Sequence, residues 1–130
     1  MSCAATPASV YSVYDMARTK SLTFSFTSSG YLNTTDSYAS AYRIGNMCYI
    51  FFVLYIAIKI NAGSKLNLIR QLPLADATSV AVAATTQNGY CVKVVIEKST
   101  DVITTSEFNP TDVAVGDSLA GFLVYCTSAS

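Results

Sequence analysis

The fold is decided by residues 47–58, MCYIFFVLYIAI, a run of twelve uncharged and mostly large apolar residues that ends at Lys59. The run is too short for a membrane-spanning helix, which needs about 20 apolar residues. Its β-branched and aromatic residues favour a strand instead. One predicted face is wholly apolar and consists of Cys48, Ile50, Phe52, Leu54, Ile56, Ile58 and Ile60. The other is richer in aromatic residues and consists of Tyr49, Phe51, Val53, Tyr55, Ala57 and Lys59. Because a strand that is apolar on both sides is covered on both, we expect the core on the first face and another subunit on the second.

The rest of the chain shows further period-2 patterns and no convincing helical period. Together with the apolar run, these patterns predict about eight strands, at residues 22–26, 38–44, 66–70, 79–85, 90–97, 102–105 and 120–126 in addition to the run itself. The pair Asn88-Gly89 lies between two of them and predicts a hairpin with a type I′ turn. Strands at roughly ten-residue spacing predict an all-β fold, an antiparallel β-sandwich of the jelly-roll kind.

Residues 1–20 differ from this pattern because they are mostly small and polar and show no period-2 run. We predict that they form an N-terminal arm, and that residues 21–130 form the β-sandwich head domain. The side chains expected to contact a partner protein are Tyr11, Tyr14, Arg18 and Lys20. Such an arm would order on docking and contribute little to the core.

The composition excludes several classes of protein. Charged residues make up only 12% and balance to a net charge of zero, which argues against a nucleic-acid binder. The chain has no His, so neither a His-based catalytic relay nor a His-ligated metal site can form. Its four cysteines are far apart and form no CxxC pair. We therefore expect no catalytic residues, no cofactor, no metal and free thiols, as in a reducing compartment. The first seven residues also lack the pattern of a signal peptide.

From about residue 38 to residue 127, the order of features resembles the C-terminal head domains of tailed-phage fibres and receptor-binding proteins. The landmarks are YRIGN at 42–46, the apolar run, INAGS at 60–64, LP at 72–73, NGY at 88–90 and AVGDSLAGFLVY at 114–125. The likeness spans about two-thirds of the chain. It departs after residues 72–73, where such heads often continue GFRP and this chain has LADA.

Such heads resemble trimeric jelly rolls of the tumour-necrosis-factor and complement type, whose last strand packs near the threefold axis. The resemblance implies a homotrimer and a non-enzymatic virion protein, a fibre or decoration head with a role in host attachment. It also implies assembly in the host cytoplasm and a place on the capsid or tail surface. The partners would be other virion proteins through the arm and a host cell-surface glycan or protein, without nucleic acid or membrane insertion. The expected subunit interface comprises Tyr49, Phe51, Val53, Tyr55, Phe122 and Tyr125.

Two alternatives from other classes stay open. A secreted or cell-surface cytokine-like trimeric module would require export, and Cys91 would then be free to pair with Cys126. A glycan hydrolase would require two facing carboxylates. The turn-rich acids that would have to supply them are Asp101, Glu107, Asp112 and Asp117. Acids in turns commonly cap the backbone instead.

Overall fold

The structure, a computed structural model, describes residues 19–27 and 29–129. These residues form strands, turns and loops, and no helix that could cross a membrane is found among them. The strands are β1 (Lys20–Ser21), β2 (Ser25–Phe26), β3 (Tyr38–Ile44), β4 (Met47–Tyr55), β5 (Asn67–Arg70), β6 (Ser79–Thr85), β7 (Cys91–Ile96), β8 (Ile103–Thr105) and β9 (Ser118–Cys126). The prediction of an all-β antiparallel fold is confirmed.

All nine strands belong to one curled sheet in the order β1-β3-β4-β9-β6-β7-β8-β5-β2. The two edge strands, β1 and β2, are joined by residues 22–24 alone. A connection of that length spans roughly 14 Å at most, so the sheet must curl until its edges lie close together. Leu22 N donates to Ala41 O on one edge (2.8 Å), and Thr27 N donates to Leu68 O on the other (3.0 Å). The inside of the curl holds the core.

The middle of the sheet is built from its longest strands. β4 and β9 pair antiparallel over nine residues each, from Met47 opposite Cys126 to Tyr55 opposite Ser118. β3 pairs with the other side of β4 over its full seven residues. The inward side of β4 is the face predicted to be apolar, and its residues are buried up to Ile56. The prediction is wrong for Ile58, because its side chain is exposed. β4 ends at Tyr55, and the chain bends through residues 57–58, so the strand alternation no longer applies there.

Residues 22–26 do not form the single strand that their alternation predicts. The chain passes from one edge of the sheet to the other in this stretch, so it pairs first with β3 and then with β5. Leu22, Phe24 and Phe26 are half-buried and pack against the core, which explains the apolar spacing. The alternation therefore predicts correctly which side chains face the core, but it is wrong in predicting one continuous hydrogen-bonded strand.

The hairpin predicted at Asn88-Gly89 joins β6 to β7. Its loop is closed by Thr85 N, which donates to Tyr90 O (2.8 Å), and by Gly89 N, which donates to Thr85 O (3.0 Å). Gly89 has a φ of 70°, whereas Asn88 is not among the residues with positive φ. A type I′ turn needs positive φ at both positions, so the hairpin tip is confirmed and the turn type is wrong. The loop has four residues, with glycine at its left-handed position.

Candidate interaction surface

The outward side of β3, β4, β9 and β6 forms a continuous surface of apolar side chains, here called the aromatic face. Side chains alternate between the two sides of a strand, and the inward ones on these strands fill the core. The outward ones are partly or largely exposed, except Ser118 at the start of β9, which is buried. The aromatic face consists of Tyr38, Tyr42, Tyr49, Phe51, Val53, Tyr55, Phe122, Val80 and Val82.

The centre of the aromatic face is a stack of three rings. Phe51 on β4 lies directly opposite Phe122 on β9, and their ring centroids are 4.3 Å apart with an angle of 20° between the planes. Tyr49 also stacks against Phe122, with ring centroids 6.4 Å apart and an angle of 14° between the planes. All three rings are carried by the two longest strands, which pair over their whole length. The strands therefore hold the rings in place before any partner arrives, which lowers the entropy cost of contact.

Charge is missing from the aromatic face. The outward positions of β3, β4, β9 and β6, all within the described ranges, carry no Asp, Glu, Lys or Arg. The one charged residue of these strands, Arg43, lies on the inward side opposite Cys48, and its Nε donates to Gly45 O (2.8 Å). Covering a neutral apolar surface is therefore favourable in free energy, because no charged group has to be removed from water.

The aromatic face is comparable in area to the largest apolar patch of a typical monomer. Tyr38, Tyr42, Phe51, Tyr55 and Phe122 are 61%, 39%, 49%, 38% and 42% exposed. At about 200 Å² for a whole aromatic side chain, these five rings expose roughly 450 Å². The largest apolar patch of a typical monomer covers about 300–600 Å² in total and is often functional. The five rings alone reach that range before the valines are added.

Five of the six residues predicted for the subunit interface lie on the aromatic face. The sixth, Tyr125, does not, because its side chain is 1% exposed and lies in the core. Its hydroxyl donates to Pro73 O (2.8 Å), and burial raises the pKa of Tyr125 above its usual value. Residues 122 and 125 are three apart in one strand, and a period of two places them on opposite sides. Applying that period within β9 shows from the sequence that Phe122 and Tyr125 cannot both lie on the interface, and the structure shows that Tyr125 is the buried one.

Sequence reasoning missed four members of the aromatic face. Tyr38 and Tyr42 lie on β3, where they flank Ser40 on the same side. Val80 and Val82 lie on β6, on a side that the sequence pattern leaves unassigned between core and surface. The alternation of both strands was visible. Nothing in that alternation says that β3 and β6 adjoin β4 and β9 in the sheet.

The predicted attachment arm is mostly outside the described residues. Tyr11, Tyr14 and Arg18 belong to residues 1–18, so their placement is outside what the structure describes. Lys20 is described and exposed, and it lies opposite Arg43 where β1 pairs with β3 at one edge of the sheet.

Two of the four turn-rich acids, Asp112 and Asp117, cap backbone groups. Asp117 is almost fully buried at the start of β9 and accepts from Gln87 N (2.9 Å), Ser118 N (2.8 Å) and Asn88 Nδ2 (2.9 Å). Burial acts to raise the pKa of the Asp117 carboxyl, but these hydrogen bonds outweigh it and hold the pKa below its usual value. Asp112 accepts from Ala62 N (2.7 Å). Both acids tie neighbouring loops together.

Charged side chains gather instead along the outer surface near β7. A groove of about 510 Å³ there is lined by both glutamates of the chain, three of its five lysines and the exposed ring of Phe108. Lys65 Nζ and Glu97 Oε1 form an ion pair across it at 2.5 Å. Within residues 19–27 and 29–129, no cluster of three or more His, Cys, Asp or Glu side chains could hold a metal ion. Val80 of the aromatic face lines the same groove, so the neutral aromatic side and the side of mixed charge meet along β6.

The cysteines in the described part of the chain are free thiols. Cys48 is buried, whereas Cys91 and Cys126 are exposed and do not pair with each other. Cys3 lies outside the described residues. Comparison with family models, with curated proteins and with solved structures finds no match to this chain.

Proposed function

We propose that this chain is a non-enzymatic subunit of a homotrimeric assembly, in which the aromatic face is covered by other copies. The observation that carries the proposal is the aromatic face itself, with its three stacked rings and no charged side chain. In this proposal the curled sheet has the jelly-roll arrangement expected from the sequence. The assembly is a tailed-phage virion, in which the chain serves as a fibre tip or a decoration head.

The exposed area supports association. A stable interface buries about 800 Å² on each partner, and obligate interfaces resemble a domain core cut in half. The five exposed rings supply roughly 450 Å². The valines of β6 and the partly exposed residues between the rings lie in the same surface. The five rings alone thus supply a little over half of one interface, and the neighbouring apolar residues extend that area.

Its chemistry favours another copy of the same chain over a charged partner. Partner recognition by charge needs opposite potentials on the two surfaces. The aromatic face offers none, and the whole chain has a net charge of zero. In a closed ring of copies, neutral aromatic surfaces can cover one another without leaving a buried charge unpaired.

The place in a virion rests on the sequence. The order of landmarks between residues 38 and 127 resembles phage head domains, and the free Cys91 and Cys126 suit a protein assembled in a reducing cytoplasm. Residues 1–20 would dock on other virion proteins. The exposed loops would face a host cell-surface glycan or protein.

Sedimentation equilibrium of the purified chain tests the assembly. We expect a particle of three times the 13.9 kDa chain mass. Phe51→Asp should weaken association at least about 100-fold, because it buries an unpaired charge in the interface. Phe108→Asp is the matched control, since Phe108 is a 79% exposed phenylalanine that lies outside the aromatic face, and it should leave association unchanged. A wild-type chain that stays monomeric at micromolar concentration would refute the proposal.

Immunogold electron microscopy tests the virion assignment. Antibodies against the purified chain should label the capsid or the tail of the phage particles that carry its gene. Purified, infectious particles that lack the chain would contradict this part of the proposal and leave the homotrimer standing.

A further inference from the structure

A pit opens within the aromatic face, beside the ring stack. Its volume is about 250 Å³. Tyr38, Phe51 and Val53 flank it, and the small residues Ser40, Ala120 and Gly121 leave the space between them. We propose that this pit receives an aromatic side chain from the aromatic face of a second copy, and so acts as the anchor site of the subunit interface. This inference rests on the proposed function above.

The register explains why the pit forms here. Ser40 on β3 lies opposite Phe51, and Ala120 on β9 lies opposite Val53. Both large residues of β4 thus have a small outward neighbour on an adjacent strand. Gly121 follows Ala120 and lies on the inward side of β9 opposite Phe52, so it directs no side chain toward the pit. The pit therefore stays open because its outward neighbours, Ser40 and Ala120, are too small to fill it.

The size and lining of the pit select its occupant. A closed apolar cavity of about 150 Å³ holds one benzene molecule, so an open pit of about 250 Å³ admits a phenyl or phenol ring. The polar side-chain groups that line it are the hydroxyls of Ser40 and Tyr38. Carboxylate or ammonium groups would meet no opposite charge there and would lose their hydration. An aromatic side chain is therefore the occupant whose binding in the pit is most favourable.

The aromatic face itself supplies suitable rings. Tyr42, Tyr55 and Phe122 are exposed on it without lining the pit. In a closed symmetric assembly every copy presents both a pit and these rings, so one copy's ring can enter its neighbour's pit all the way round. Aromatic anchors that enter pockets contribute most of the binding energy of an interface. The second copy is therefore the partner to which we commit.

The test fills the pit without adding charge. Ala120→Leu places a larger side chain at the pit, and Ala84→Leu is the matched control, because Ala84 lies opposite Ala120 on β6, faces outward and does not line the pit. In sedimentation equilibrium, Ala120→Leu should weaken association at least about 10-fold, and at least about 3-fold more than Ala84→Leu does. Circular dichroism melting checks that each variant folds. Ser40→Leu fills the pit from β3 and replaces Ala120→Leu if that variant does not fold.

The outcomes distinguish a failure of the pit proposal from a failure of the assembly proposal. If the wild type is trimeric and both pit-filling variants associate as the wild type does, the pit is not the anchor, and the assembly proposal stands. Equal weakening by Ala120→Leu and Ala84→Leu would also overturn the pit, because bulk anywhere on the face would then matter. If the wild type is monomeric, the assembly proposal is refuted, and the pit proposal is refuted with it.

Discussion

Replacing Gly121 with alanine should destabilise the fold, although the same exchange in an ordinary strand is stabilising. Alanine reduces the entropy lost on folding, which favours the variant by roughly 0.5–1 kcal/mol. Against this, the new Cβ would lie 2.6 Å from Phe52 Cζ and 3.0 Å from Ala83 Cβ. Phe52 is 3% exposed, so its ring is held by the core and cannot move aside into solvent. Overpacking a core by one methyl group costs about 1–3 kcal/mol.

The clash should outweigh the entropy gain and leave a net loss of about 1–2 kcal/mol. For a chain of this size, that loss corresponds to a melting temperature about 3–8 °C lower. Thermal unfolding followed by circular dichroism measures it. Wild type and variant must be compared at one protein concentration, because association shifts the apparent stability.

A second substitution tests the cause. In a Phe52→Leu background the ring atoms nearest to Gly121 are gone, so adding Gly121→Ala should cost at least about 1 kcal/mol less than it does in the wild type. A Gly121→Ala protein that melts at or above the wild-type temperature would refute the close approach of β4 and β9. The same loss in both backgrounds would show that Phe52 is not its cause.

Three further outcomes follow from the described contacts. Asp117→Asn should cost about 1–3 kcal/mol at pH 7, since a buried carboxylate with three donors is lost. Because its folded pKa lies below the unfolded value, that stabilisation is present above about pH 4 and lost as the pH falls through the folded pKa, so urea unfolding should show the gap between variant and wild type closing as the pH is lowered below about 4. Gly89→Val should lower stability by about 1–3 kcal/mol in thermal melts, because a β-branched residue would have to adopt a φ of 70°; unchanged melting would argue against the turn. In a thiol-reagent assay of the native chain, Cys91 and Cys126 should react quickly and Cys48 slowly, since burial removes access to Cys48 and raises its pKa; rapid reaction at Cys48 would contradict its burial.

Local pattern was sufficient for most of the strands and for the inward side of β4. The predicted bounds of the strands at 38–44 and 79–85 agree with β3 and β6. The predicted apolar face of the 47–58 run is buried from Cys48 to Ile56. Both results depend on a period of two, which any strand obeys whatever its neighbours are. The glycine at the hairpin tip is local in the same way, because positive φ is a property of one residue.

Only the tertiary structure determines which strands and which side chains are neighbours. Residues 22–26 fit one strand by pattern, yet they join the two edges of the curled sheet and pair on both sides. The pit brings Ser40, Phe51 and Ala120 together from three strands, and the aromatic face extends over β6 because β6 pairs with β9. Such neighbours are set by strand order and register across long separations in the chain. The alternation within each strand is the same for many orders and registers, so it cannot select among them; only the packing of the whole sheet around one core does.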